Sequence, residues 1–95
     1  MTSSHQHLSD AFAMLGHPTK LRLFKHLLSK VHDQDYPRVP TMVATDLDMK
    51  PSIAAYSMKR MHMVGILTRH ATGKFTFYGI DPIFLKLVKE FFDEG

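Results

Sequence analysis

The amino-acid sequence predicts a mainly α-helical fold with one small β-hairpin, in the order of four helices, two strands and a fifth helix. Apolar residues recur at helical spacing in several segments, a glycine joins two strand-like segments before the last helix, and glycine or proline stands at most junctions. The chain has 95 residues with ordinary fractions of apolar and charged side chains. We therefore predict one domain over residues 1–95, with residues 1–7 flexible.

The first half of the chain is predicted to form three helices. The first covers about residues 8–15 and the second about residues 18–29, which begins at a proline suited to a first helical turn. His26 lies opposite the apolar stripe of this second helix and needs no special role. Residues 31–40 contain two Asp and two Pro and are predicted to form a surface loop. Thr41 is predicted to cap a short third helix.

The second half predicts a helix and a hairpin suited to bind DNA. A fourth helix is predicted over residues 50–64, after a tight turn at Asp48 whose backbone is expected to be left-handed. Strands over residues 66–70 and 75–80 are joined by residues 71–74. Two helices joined by a tight turn place the second helix in a major groove. With the hairpin as its wing, the predicted fold is a winged helix-turn-helix.

Positive charge is concentrated in this same segment. No acidic residue lies between Asp48 and Asp81, whereas five lysines and arginines do. The expected partner is a polyanion, here double-stranded DNA. The alternative is a solvated charged face, and the absence of carboxylates favours phosphate contact instead. The predicted DNA-binding residues are Lys50, Ser52, Ala55, Tyr56, Lys59, Arg60, Arg69 and Lys74.

These residues have different expected roles. Direct reading of bases is expected from Ser52, Tyr56 and Lys59, with methyl contacts to thymine from Ala55. A tyrosine also serves in packing, so Tyr56 against the scaffold is the alternative. The cations of the hairpin are expected to contact phosphate or the minor groove. Phe75, at the start of the second strand, is interpreted as packing within the hairpin rather than as a base-stacking residue.

The last helix, which begins at Asp81 and Pro82, is apolar around more of its circumference than one core face requires. In so small a chain, a second copy is the expected cover, with the first and last helices packing in an isologous homodimer interface. The predicted interface residues are Leu8, Phe12, Phe84, Val88, Phe91 and Phe92.

Several classes of protein are disfavoured. The chain has no cysteine, so it offers no disulfide and no thiolate metal site. It contains no apolar run of the roughly 20 residues that cross a bilayer. We expect a cytoplasmic protein without a membrane partner. A glycine-rich phosphate loop, a nucleophilic serine motif and paired catalytic carboxylates are all missing, so we predict neither an enzyme nor a cofactor.

From about Ala11 onward, the chain resembles the ArsR-type (arsenical-resistance repressor) winged-helix regulators. Residues 15–24, Leu-Gly-His-Pro-Thr-Lys-Leu-Arg-Leu-Phe, are similar to that family's Leu-Ala-acidic-Pro-Thr-Arg-Leu-Arg-Ile-Leu signature. Residues 64–67, Val-Gly-Ile-Leu, resemble its Ala-Gly-Leu-Val, and residues 74–78, Lys-Phe-Thr-Phe-Tyr, resemble its Arg-Trp-Val-Tyr-Tyr wing strand. The resemblance implies a homodimeric, usually repressing, transcription factor that binds a short inverted repeat.

The metal-binding motifs of that family are not present. Residues 43–47 read Val-Ala-Thr-Asp-Leu where metal-sensing members have Cys-x-Cys-Asp-Leu, and Pro-Ile follows Asp81 where others have Asp-x-His. We therefore predict no metal site. A histidine-only site assembled across a dimer is the alternative, with candidate ligands His5, His7, His17 and His62. For the protein as a whole, the alternative is a winged-helix protein-interaction module without specific DNA binding.

Overall fold

The computed structural model describes residues 3–93, with side chains described over residues 9–90. Its elements follow the predicted order of four helices, a two-stranded antiparallel hairpin and a last helix. They are α1 (Ser3–Leu15), α2 (Pro18–Ser29), α3 (Pro40–Leu47), α4 (Pro51–Met63), β1 (Leu67–Thr72), β2 (Phe75–Ile80) and α5 (Pro82–Asp93). Helices α3 and α4 form the helix-turn-helix, and β1 with β2 forms the wing. The predicted fold class is confirmed.

Two helix starts differ from the predictions. Helix α1 begins at Ser3, before the predicted start at about residue 8. Helix α3 begins at Pro40, and no side chain caps it, so the prediction that Thr41 is the cap was wrong. The proline fixes a helical φ and has no N–H to satisfy, which makes a side-chain cap less necessary. The single-domain organisation and the flexibility of residues 1–7 stay predictions.

The tip of the wing is tighter than predicted. Strand β1 continues to Thr72, whose Cα pairs with that of Phe75, so only Gly73 and Lys74 form the turn. Gly73 has a φ of +55°, a conformation that two-residue hairpin turns require and that glycine adopts without steric cost. The short turn places Lys74 at the tip of the hairpin.

The core lies between α2, α3, α4 and the base of the wing. Its largest fully buried side chains are Leu23, Leu27, Val43, Met58, Met61, Ile66 and Leu67. Burial of apolar surface of this kind is the main stabilising contribution to a small domain. Because α4 buries Ala54, Met58 and Met61, the opposite side of that helix must face outward.

The turn between α3 and α4 depends on Asp48. Its φ of 53° and ψ of 52° are left-handed, as the sequence predicted. The turn is closed by the N–H of Met49, which donates to the carbonyl oxygen of Ala44 at 3.0 Å. Asp is among the few residues other than glycine that tolerate this conformation. The turn therefore sets the angle at which α4 leaves the core.

The segment predicted as a surface loop, residues 31–40, is partly buried and joined to the wing. The N–H of Arg38 donates to the carbonyl oxygen of Tyr78 at 2.9 Å. The N–H of Tyr78 in turn donates to the carbonyl oxygen of Arg38 at 2.7 Å. Tyr36 accepts a hydrogen bond from the N–H of Ile80 at 2.6 Å. Gly79 leaves the space for this contact, because a Cβ there would lie 2.8 Å from the Tyr36 hydroxyl.

The side chain of Arg38 joins this segment to α3. It is only 3% exposed, and its guanidinium donates to Asp35 at 2.7 Å and to Asp46 of α3 at 2.8 Å. A buried arginine requires carboxylate partners, because an unpaired buried charge is strongly destabilising. Sequence pattern did not reveal this role, since Asp, Pro and Tyr at such density are typical of a solvated loop.

Replacing Asp46 with asparagine should destabilise the fold by about 1–2 kcal/mol, because it removes one charged partner of a buried guanidinium while Asp46 itself is partly exposed. The free energy of unfolding in urea, measured at one fixed protein concentration, tests this expectation.

The matched control is Asp33→Asn, which breaks the ion pair between Asp33 and Lys30. In this pair the Lys30 Nζ lies 3.6 Å from the Asp33 Oδ2, and the two side chains are exposed, Asp33 at 48% and Lys30 at 33%. It should cost less than about 0.5 kcal/mol, as exposed pairs do. Equal losses in the two variants would contradict a special role for the Arg38 pair.

Candidate nucleic-acid interface

Helix α4 exposes one continuous face. It starts at Pro51 after an extended Lys50, and its buried residues leave the other side of the helix to solvent. The predicted base-reading residues Ser52, Tyr56 and Lys59 are all exposed, and so is Ala55. The predicted wing cations, Arg69 and Lys74, are exposed as well. The outward positions of the predicted contacts make them available to a ligand, although the DNA contacts themselves stay predictions.

A groove runs between the start of α4 and the wing. It has a volume of about 600 Å³, and Ser52, Ala55 and Lys59 line it on the helix side. Lys74 and Phe75 line it on the wing side. Four of the predicted DNA-binding residues therefore lie together around one concave surface, with a lysine on each side.

The remaining predicted residues lie outside this groove. Arg60 lines a second cavity of about 430 Å³ that includes His17 and Lys20 from the α1–α2 side of the molecule. Its guanidinium carbon lies 5.7 Å from the centre of the Tyr56 ring, which is within the range of a cation–π contact. Tyr56 remains 62% exposed, so it does not pack against the scaffold. Arg60 supports the ring of Tyr56 on the surface of α4.

The cations of this surface are not neutralised within the described part of the chain. Over residues 9–90, none of Lys50, Lys59, Arg60, Arg69 or Lys74 takes part in an ion pair with a carboxylate. The ion pairs found there instead join α2, α3 and the segment between them. The surface of α4 and the wing consequently has an uncompensated positive charge, as the sequence predicted.

Sequence reasoning did not assign Ile53 or Phe75 to the exposed part of this surface. Ile53 is 44% exposed and Met63 is 68% exposed on α4. Phe75 is 58% exposed, although its ring lies 6.3 Å from that of Phe77, so its interpretation as a packing residue was incomplete. Ile53 lies at the boundary between the two sides of α4, four residues before the buried Ser57 and three before the exposed Tyr56, so helical position alone did not assign it to the outer side.

The predicted dimer residues are distributed unevenly. Phe84 is 5% exposed and packs inside the chain, with its ring 5.9 Å from that of Phe24 and 6.1 Å from that of Phe12. It therefore offers almost no surface to a partner, contrary to its predicted place in the interface. Phe12 and Val88 are half-buried. The side chains of Leu8, Phe91 and Phe92 lie outside the described residues.

Helix α5 nevertheless exposes other apolar residues. Ile83 is 72% exposed and Leu87 is 41% exposed. Within the part of α5 whose side chains are described, these two residues, rather than Phe84, supply uncovered apolar surface of the kind that the sequence pattern indicated.

No helix in the described part of the chain is long and apolar enough to cross a membrane.

The described residues contain no cluster of three or more His, Asp or Glu side chains arranged to hold a metal ion. His62, one of the candidate ligands, has its Nδ1 3.0 Å from the carbonyl oxygen of Leu67. The side chains of His5 and His7 lie outside the described residues, so the histidine-only alternative stays a hypothesis.

The ion cluster behind the helix-turn-helix includes a histidine. His26 of α2 has its Nε2 3.4 Å from the Asp46 carboxylate, but that nitrogen is buried and makes no hydrogen bond within the described structure. Burial lowers the pKa of His26 from its ordinary value of 6.5, and the nearby Arg38 lowers it further, against a smaller opposing effect of Asp46. The His26 side chain is therefore largely buried, at 10% exposure, although the sequence placed it opposite the apolar stripe of α2.

The fold is shared with solved structures of proteins described as transcriptional regulators or possible transcriptional regulators. A crystal structure of a possible transcriptional regulator for arsenical resistance matches with a TM-score of 0.70 and 22% identity, over 90% of this chain and 82% of the other. The antimony-specific transcriptional repressor AntR matches with a TM-score of 0.70 and 23% identity, over 94% and 77% of the two chains.

A third match is the homodimeric winged helix-turn-helix DNA-binding domain of a possible ArsR-family regulator from Mycobacterium bovis. It has a TM-score of 0.70 and 17% identity over 98% of this chain and 84% of the other. No family model and no curated protein matches the sequence. The resemblance to ArsR-type regulators is therefore confirmed in the fold.

We expect the stability of the protein to fall on acidification through the pKa of His26. Because the pKa is lower in the folded state, stability is fully present above the ordinary value of 6.5 and is lost as the pH falls towards the folded-state pKa. His26→Gln should remove this component. The free energy of unfolding in urea, measured between about pH 7.5 and about pH 5, should then fall less in the variant than in the wild-type protein. Parallel curves for the two proteins would contradict the expected protonation of His26.

Proposed function

We propose that this protein is a sequence-specific DNA-binding transcriptional regulator, acting as a homodimeric repressor on an inverted-repeat operator. The observation that carries the proposal is the unpaired positive charge on α4 and the wing, around a groove with Lys59 on one side and Lys74 on the other. Such a surface suits a polyanion. The described function of the similar structures supports the same proposal.

In the proposed complex, α4 lies in a major groove. Its first turns present Ser52, Ala55 and Tyr56 to base edges, where hydroxyl and methyl groups distinguish base pairs. Lys59 and the wing cations Arg69 and Lys74 contact phosphates, which position the protein and supply affinity. Lys50 and Arg60, at the ends of the same surface, add to the positive field.

The proposed dimer joins α1 and α5 of one chain to those of its copy. Exposed Ile83 and Leu87 and half-buried Val88 supply apolar surface on α5. A two-fold axis would relate the two copies of α4, and contacts with successive turns of DNA require them to be about 34 Å apart. Symmetry of this kind matches an inverted repeat, since each copy meets the same half-site.

Lys59→Ala should weaken DNA binding and make it less dependent on salt. If Lys59 of each subunit neutralises one phosphate, the slope of log affinity against log salt concentration should become less steep by about 1.8 for the dimer, or about 0.9 for each phosphate. Fluorescence anisotropy of a labelled duplex at several salt concentrations measures both quantities. The matched control is Lys25→Ala, an exposed lysine of α2 outside the proposed surface, which should leave the slope unchanged.

A protein-interaction module without specific DNA binding would behave differently. Its affinity for duplex DNA would be weak for every sequence, and removal of Lys59 would change it no more than removal of Lys25. That result, in variants that remain folded, would exclude the proposed DNA surface.

Ile83→Glu should weaken the dimer, because a charged carboxylate would be buried in an apolar interface without a partner. Sedimentation velocity over a range of protein concentrations should show more monomer than in the unchanged protein. The control is Leu28→Glu, which adds the same charge at an apolar residue of α2 that is 42% exposed. If Ile83→Glu and Leu28→Glu showed the same proportions of monomer and dimer, Ile83 would not lie in the interface.

A further inference from the structure

We infer that α4 recognises its DNA mainly through the C5 methyl groups of thymine, which an apolar strip formed by Ile53 and Tyr56 contacts. The inference rests on the proposed function and deepens it by naming the chemical group that is read. It concerns the outward face of α4, where the structure exposes Ile53, which the sequence did not assign to DNA, beside Tyr56, which it did.

The apolar strip is not an extension of the core. Ile53 is 44% exposed and Tyr56 is 62% exposed, while the adjacent Ala54 and Ser57 are almost fully buried. The helix thus has a separate inner face, and the described part of the chain provides no cover for the outer one. Single exposed apolar residues are common on protein surfaces; Ile53 and Tyr56 differ from the exposed Leu28 because they lie on the helix that carries the unpaired cations Lys59 and Arg60.

The same helix has few groups that read bases by hydrogen bonds. Adenine is read by Asn or Gln and guanine by Arg or Lys, in bidentate pairs. Helix α4 contains no Asn, Gln, Asp or Glu. Its only arginine, Arg60, lies against the ring of Tyr56 at 5.7 Å, and Lys59 lines the groove beside the wing. The selective contacts that remain are mostly apolar.

Thymine is the base that suits such a helix. In the major groove it is distinguished by its C5 methyl group, which apolar side chains contact. A protein partner is less compatible with this face, because unpaired cations surround the strip and no carboxylate lies between Asp48 and Asp81. Charge and apolar surface together fit a polyanion that displays methyl groups in its groove.

Arg60 has a positioning role in this arrangement. Its guanidinium lies over one face of the Tyr56 ring, and a cation–π contact restricts the orientations available to that ring. An exposed tyrosine held in place loses less conformational freedom when it binds. Tyr56 can then contact a methyl group with its ring edge while its hydroxyl meets a phosphate or base.

The test compares thymine with deoxyuridine, which differs from thymine only by the C5 methyl. The probe is the tightest duplex obtained by selection from a random 30-base-pair library, synthesised once with thymine and once with deoxyuridine throughout both half-sites. Each lost methyl contact should weaken binding about fourfold. Equal affinity for the two duplexes would overturn the inference while leaving the proposed DNA binding intact.

Variants separate direct contact from effects of deoxyuridine on DNA shape. Ile53→Ala should lower the ratio of the two affinities towards one, because the missing side chain no longer contacts a methyl group. The matched control is Leu28→Ala, at an apolar residue of α2 with nearly the same exposure, 42% against 44%, and it should keep the wild-type ratio. Circular dichroism checks that both variants fold.

The remaining outcomes are also decisive. A wild-type preference for thymine that Ile53→Ala leaves unchanged would overturn the role of the apolar strip. Failure of the selection to enrich any duplex would overturn the proposed function and this inference together. Enrichment of duplexes without thymine in the half-sites would overturn the inference alone.

Discussion

The buried guanidinium of Arg38 is the constraint that joins the parts of this molecule. Its side chain is held by Asp35 and by Asp46 of α3, and its backbone pairs with Tyr78 of β2. One residue thereby connects the helix-turn-helix to the wing. A buried arginine is tolerated only with its partners in place, so the relative position of α3 and β2 is fixed by an electrostatic requirement as well as by packing.

A second connection fixes α3 from the other side. Arg22 of α2 donates a hydrogen bond to the carbonyl oxygen of Leu47 at 2.7 Å, which satisfies an orphan carbonyl at the end of α3. The chain then turns at Asp48 in a left-handed conformation. Since α4 starts directly after this turn, its orientation follows from how firmly α3 is held. Rigid support of this kind is what a helix needs to enter a groove in one orientation.

The surface of α4 and the wing combines two properties that are usually separate. Positive charge without carboxylates attracts the DNA backbone over a distance set by ionic strength. Apolar side chains act only at contact, where they discriminate by shape and methyl position. Ile53, Tyr56 and Phe75 lie among the cations of this surface. Affinity and selectivity would therefore come from different residues of the same face.

The sequence by itself determined the order of the elements, the turn at Asp48 and the carboxylate-free band of cations. These features are local in the chain: helical period, backbone preference and charge can be read without knowing what packs where. Only the tertiary structure decided that Arg38 is buried, that Phe84 belongs to the core, and that Ile53 faces outward. Those outcomes depend on contacts between residues distant in sequence, such as Arg38 with Tyr78 and Phe24 with Phe84, and no local pattern encodes which distant partner a side chain will meet.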